Sequence, residues 1–152
     1  RRSNMNRPWA ALGLVLALCT IMPREASAQG SQKNGNKPSM RQNYPNPFNP
    51  ATYQPFSVAG PTCTAEPNRT HRITVKVINV LGQVVAYPVL NGTSGGVAGG
   101  TPLKGVLLPC GDHVALWDEK RFGSGREPAS GIYIFLVDQD GVQVSSKAIV
   151  SK

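Results

Sequence analysis

The chain has 152 residues, of which 16 are basic and 8 acidic, giving a net charge of +8 at pH 7. This length suits one domain better than two. The basic residues are scattered, with no basic stripe and no aromatic platform, which argues against nucleic-acid binding. We expect the scattered charges to keep the protein soluble. The alternative is that they attract the protein to an anionic surface, such as lipid head groups or polysaccharide.

The first 28 residues are interpreted as an export signal. A head with three arginines and no acid precedes an apolar run of 14 residues, 9–22, and Ala26 and Ala28 then provide a small-x-small site. This pattern predicts cleavage between Ala28 and Gln29. A membrane-spanning helix needs about 20 apolar residues, so a cleaved signal is favoured. The alternative is membrane association through residues 9–22, kept as an anchor helix.

Residues 29–43 are polar and are predicted to form a flexible linker. The prolines that follow, over 44–50, forbid helix and predict an extended segment. After them the chain shows strand patterns; over 71–78, for example, Ile73, Val75 and Val77 share one face. The predicted strands are 53–58, 71–78, 83–87, 106–108, 113–117, 132–137 and 142–150.

About seven short strands with turns between them and no amphipathic helix are typical of an all-β fold, an immunoglobulin-like antiparallel β-sandwich. We place this domain at residues 44–152. The segment 91–105 is rich in glycine and is predicted to be a long loop.

Three cysteines are present, and Cys19 lies in the signal. The remaining pair, Cys63 and Cys110, is predicted to form a disulfide in an oxidising compartment. Zinc binding is the alternative, but a structural zinc site needs about four ligands, and His71 and His113 are the only histidines.

No residue pattern indicates catalysis or a cofactor. His113 has the strand parity of Trp117 and is expected along the core or its rim, whereas His71 is expected to be solvated. Asp138 and Asp140 fall short of a calcium loop and are interpreted as hairpin-turn residues. The sequence therefore predicts a protein without catalytic residues, bound metal or cofactor.

Residues 42–52 read QNYPNPFNPAT and resemble the opening motif of the C-terminal sorting domains of type IX secretion cargo. Those domains are similar to the immunoglobulin-like domain of flagellar hook-capping proteins. The similarity continues through the Asn-x-Leu-Gly turn at 79–82, the Trp-Asp pair at 117–118 and the strand start at 129–133. The motif residues are Tyr44, Pro45, Asn46, Pro47, Phe48, Asn49, Pro50, Asn79, Gly82, Trp117, Asp118, Gly131 and Tyr133.

The resemblance implies that Phe48 and Trp117 fill the space between the sheets. It also implies that Gly82 and Gly131 take backbone conformations that are costly for other residues. Three features differ from the family. No cargo precedes the motif, the segments 59–71 and 88–111 are longer, and Glu119 replaces the glycine that usually follows Trp-Asp.

For function, the resemblance implies a non-catalytic module of the periplasm or cell surface that acts in sorting or surface attachment. Its partner would be a secretion translocon or another envelope protein. Two alternatives stay open. One is an extrinsic subunit, anchored in the inner membrane, that stabilises a membrane complex, and the other is a small adhesin.

The last strand is the predicted contact for that partner. In the family that this chain resembles, the sorting signal lies at the extreme C-terminus. The serines within the strand 142–150 also leave the apolar face of that strand incomplete, as in an edge strand. An edge offers unpaired backbone groups to another chain. The residues assigned to this partner edge are Lys147, Ile149, Val150 and Lys152.

Overall fold

The computed structural model describes residues 35–118, 120 and 128–152, which form two packed antiparallel sheets. In spatial order, the first sheet contains β1 (Ser39–Met40), β2 (Ala51–Val58), β7 (Gly111–Asp118) and β5 (Val89–Leu90). The second contains β4 (Val84–Ala86), β3 (Thr70–Ile78), β8 (Gly131–Gln139) and β9 (Val142–Val150), and β6 (Lys104–Pro109) also pairs with β3.

The prediction of an all-β, antiparallel sandwich is confirmed. Two short strands, β1 and β5, were not predicted. A five-residue helix, α1 (Pro61–Ala65), was not predicted either, and it lies within the long segment 59–71. Because β1 pairs with β2 and Asn43 is buried, the ordered fold begins before the predicted boundary at Tyr44.

The core lies between the sheets, and on β3 it follows the predicted alternation of apolar residues. Ile73, Val75 and Val77 point inward from β3, and Phe135 and Val137 point inward from β8. In the centre, Trp117 is 1% exposed, so its predicted burial is confirmed. Its indole meets three other rings edge-on, with centroid distances of 5.1 Å to Phe48, 5.4 Å to Tyr133 and 5.8 Å to Phe135.

The β8–β9 hairpin has the predicted short turn. Gln139 pairs with Val142, and the two residues between them, Asp140 and Gly141, have φ of 50° and 90°. Two positive φ values in a two-residue loop fit the right-handed twist of the paired strands.

The β3–β4 turn is organised by its asparagine. The Asn79 side-chain oxygen accepts hydrogen bonds from the backbone N–H groups of Leu81 and Gln83, each at 3.0 Å. Gly82 has φ 78°, as predicted, which costs other L-residues free energy. Asn79 and Gly82 therefore set the shape of the turn, while the Leu81 side chain is 77% exposed.

No helix among the described residues is long and apolar enough to cross a membrane. The apolar run 9–22 and the predicted cleavage residues Ala26, Ala28 and Gln29 lie outside the described part of the chain, as does Glu119.

Candidate functional site

The proline-rich residues 44–50, called the motif segment below, lie along the outer edge of β9. The backbone N–H of Phe48 donates to the carbonyl of Ile149 at 2.9 Å, and the N–H of Ser151 donates to the carbonyl of Phe48 at 3.1 Å. The side-chain oxygen of Asn46 accepts from the N–H of Ile149 at 2.9 Å. Asn49 and Pro50 then lead into β2, which begins at Ala51.

These contacts correct the prediction that the end of β9 offers unpaired backbone groups. Both backbone groups of Ile149 face the motif segment, and the carbonyl of Lys147 accepts from the side-chain amide of Gln42 at 3.1 Å. Val150 is buried, and the N–H of Lys152 donates to the Ser130 hydroxyl. A role of this edge in partner recognition stays a prediction.

Part of the β9 edge is still open. Among the described residues, no backbone hydrogen bond crosses the outer side of Gln143 and Ser145. Both side chains are exposed. The open part of the edge therefore lies toward the β8–β9 turn, away from the C-terminal end of the strand.

A buried polar network shapes the start of the motif segment. The Asn43 side-chain amide donates to the Thr52 hydroxyl at 2.9 Å, and that hydroxyl donates to the Pro45 carbonyl at 2.9 Å. Tyr44 stacks on Tyr53 with centroids 5.5 Å apart, and its side chain is 53% exposed. No role was predicted for Asn43 or Thr52, although both stand within the motif QNYPNPFNPAT.

Two aromatic residues of the motif pack on Trp117. Phe48 packs on it from the motif segment, which confirms the expected position of both rings between the sheets. Tyr133 packs on it from β8 and donates its hydroxyl to the Ala129 carbonyl at 3.0 Å. Gly131 has the predicted positive φ, at 156°. Asp118 accepts a hydrogen bond from the backbone N–H of Lys120.

A second cluster surrounds the disulfide. Cys63 on α1 and Cys110 after β6 are bonded, with Cα atoms 5.7 Å apart, as predicted. His71 is 4% exposed, and its Nε2 lies 3.6 Å from the Cys63 Sγ and 3.3 Å from the Thr62 hydroxyl. The prediction that His71 is solvated is wrong, because His71 shares the inward parity of Ile73 on β3.

Asp140 fixes the orientation of the His71 ring. The Nδ1 of His71 donates to a carboxylate oxygen of Asp140 at 2.6 Å, and the other oxygen accepts from the N–H of Arg72 at 2.9 Å. Burial acts to raise the pKa of Asp140. The hydrogen bonds from His71 and Arg72 and the charges of His71 and Arg69 outweigh burial, so the pKa is lowered from 3.8.

With Nδ1 committed to Asp140, the Nε2 of His71 faces the sulfur atoms. A ring nitrogen of His71 and the Sγ atoms of Cys63 and Cys110 all lie within 4.8 Å of one another. A cavity of about 190 Å³ adjoins the cluster and is lined by Thr62, His71 and Asp140, among others. In the disulfide form neither sulfur is a thiolate nucleophile or a thiolate ligand.

His113 and Asp138, the other two polar residues considered as candidate site residues, lie within hydrogen-bonding distance of neighbouring groups. His113 is buried, and its Nε2 lies 2.8 Å from the Pro109 carbonyl oxygen, which agrees with a place along the core. Asp138 accepts from the N–H of Gly141 at 3.0 Å and from the Gln143 side chain at 2.8 Å, as expected for a hairpin residue.

In comparisons with known proteins, no family model, no curated protein and no solved structure matches the chain.

Proposed function

We propose that this chain is a non-catalytic exported module with an immunoglobulin-like sandwich, acting in type IX-type sorting or in attachment to the cell surface. One observation carries the proposal: residues that the sequence resemblance assigns to one motif meet in space. Phe48 packs on Trp117, and Trp117 packs on Tyr133. Asn46 binds Ile149, 103 positions away. Such contacts between motif residues from distant parts of the chain support the resemblance.

The surface proposed for the partner follows from the same contacts. The motif segment presents the exposed ring of Tyr44, and β9 presents Lys147 and the open edge at Gln143 and Ser145. An open strand edge can pair with a strand of another protein, and flanking charges restrict which chains pair there. We therefore propose that a translocon or envelope protein contacts this side of the sandwich.

The experiment produces the full chain in a bacterium with a type IX translocon and in an otherwise identical strain without it. Protease treatment of intact cells measures how much of the protein is exposed. We expect exposure in the first strain and retention in the periplasm in the second. Equal exposure in both strains would refute the sorting proposal.

Two variants test the contact surface. Lys147→Glu reverses a charge on β9, and Lys104→Glu makes the same change on an exposed residue of β6, which pairs with β3 on the side of the sheet away from β9. We expect Lys147→Glu to lower surface exposure several-fold and Lys104→Glu to leave it unchanged. Equal behaviour of the two variants would contradict a contact at β9.

The mass of the protein from native cells separates the leading proposal from the anchored alternative. A mature chain that begins at Gln29 supports export with cleavage. A chain that keeps residues 9–22 supports an anchored extrinsic subunit and contradicts a freely exported module.

A further inference from the structure

We propose that reduction of the Cys63–Cys110 disulfide turns the cluster around it into a binding site for Zn²⁺, with Cys63, Cys110 and His71 as ligands. Thiolate and imidazole are the ligands that zinc prefers in proteins. Zinc binding at this cluster does not depend on the proposed sorting function.

The distances fit a zinc site with little movement. A tetrahedral site with Zn–S bonds of about 2.3 Å and a Zn–N bond of about 2.0 Å separates sulfur from nitrogen by about 3.5 Å and the two sulfurs by about 3.8 Å. The Cys63 Sγ already lies 3.6 Å from the His71 Nε2. Rotation about the cysteine Cα–Cβ bonds can separate the sulfurs, since the Cα atoms are 5.7 Å apart.

The orientation of His71 is the strongest argument for a metal ligand. Metal-binding histidines usually donate their other ring N–H to a carboxylate or a carbonyl, which fixes the tautomer. Here Asp140 accepts from Nδ1 at 2.6 Å, so in the neutral ring, which is the form that binds metals, Nε2 presents its lone pair on the side of the sulfurs. His71 is 4% exposed, so this arrangement is built into the fold rather than adopted by a mobile surface side chain.

There is also space for a fourth zinc ligand. The Thr62 hydroxyl lies 3.3 Å from Nε2, and the cavity lined by Thr62 and Asp140 opens beside it. Three protein ligands and one water molecule are a common zinc arrangement. We assign the fourth position to water held near Thr62.

Reduction and zinc binding are two separate chemical steps. A phosphine reductant attacks one sulfur, the S–S bond breaks, and water supplies oxygen to phosphorus and protons to the two sulfurs, giving a phosphine oxide and two thiols. Zn²⁺ then binds both thiolates and releases two protons to solvent. Thiols stay reduced in the cytoplasm and pair in exported proteins, so the site exists where the chain meets a reducing environment.

The test uses the full chain with Cys19→Ser, which removes the third cysteine. Zn²⁺ is titrated into phosphine-reduced and oxidised protein at neutral pH in competition with a chromogenic chelator. We expect one zinc per reduced chain and at least tenfold weaker binding to oxidised protein. Binding of equal strength to both forms would overturn the proposal.

Variants identify the ligands. We expect Cys63→Ser and His71→Asn to weaken zinc binding at least tenfold, and Asp140→Asn to weaken it about 10- to 100-fold through the orientation of His71. His113→Asn is the matched control, because His113 is also buried but bonds to Pro109, and it should bind zinc as the parent does. Unchanged binding by His71→Asn would refute the assignment.

A measurement without ligand variants guards against loss of folding. X-ray absorption of the zinc-loaded reduced parent should show two sulfurs at about 2.3 Å and one nitrogen at about 2.0 Å, with a light atom completing the shell. A shell of oxygen and nitrogen alone would overturn the proposal, and so would a circular dichroism spectrum of unfolded protein at saturating Zn²⁺.

Discussion

Trp117 is expected to be the largest single contributor to the stability of the sandwich, and Trp117→Ala tests this. A buried aromatic side chain removes about 150–250 Å² from water. At about 25 cal/mol per Å², the upper value gives about 6 kcal/mol. Compactness of the unfolded chain reduces such figures by about 10–40%. We therefore expect a loss of about 4 kcal/mol, within the usual range of about 3–5 kcal/mol for such truncations.

The assay is urea denaturation followed by far-ultraviolet circular dichroism, because the substitution removes the fluorophore in the core. Trp117→Phe keeps a ring beside Phe48 and Tyr133 and should lose less than half as much. Leu81→Ala is the control: its side chain is 77% exposed, and its effect should stay within about 0.5 kcal/mol. A loss below about 1 kcal/mol for Trp117→Ala, with an unchanged denaturant slope, would refute the central packing role.

Three further predictions concern the disulfide, the β3–β4 turn and the last strand. Replacing Cys63 and Cys110 with alanine should cost about 4 kcal/mol for a sequence separation of 47 residues, measured by urea denaturation, and a loss near zero would contradict the loop-entropy argument. Gly82→Ala should cost about 1–2 kcal/mol through φ alone, since nothing lies within 4 Å of an added Cβ; a neutral effect in the same assay would contradict this. Deletion of residues 147–152 should unfold the protein, because it removes buried Val150 and the groups bonded to the motif segment; a native circular dichroism spectrum would contradict this.

Alternation of apolar residues predicted the fold well where strands are long and one face is buried. The inward row of β3 is visible in the sequence because Thr74 and Lys76 separate its apolar residues. Residues 132–137 of β8 are all apolar or aromatic, so alternation does not mark the inward row of that strand. β1 and β5 are two residues long, too short for any period, and their existence depends on pairing with β2 and β7. The same holds for α1, whose five residues contain no apolar repeat.

The contact between the motif segment and β9 was not predictable from local patterns. The sequence did indicate that the last strand lies at an edge, and the strand does lie at the edge of its sheet. What covers the end of that edge comes from residues about 100 positions away, through backbone groups and the Asn46 side chain. Backbone hydrogen bonds leave no compositional signal, so the open part of β9 was assigned to the wrong end of the strand.

For His71, the residue type predicts the wrong burial and the position in the strand predicts the right one. Histidine at a strand start beside Arg72 is typical of a solvated residue, yet His71 continues the inward row of Ile73 and Val75. Burying its ring requires partners for two nitrogens. Asp140 at the β8–β9 turn supplies one, and the side opposite it faces Thr62 and Cys63. Strict use of strand parity would have placed His71 on the inward face of β3. Its position beside the disulfide depends also on the pairing of β6 with β3, which brings Cys110 to the start of β3 and which the sequence did not predict.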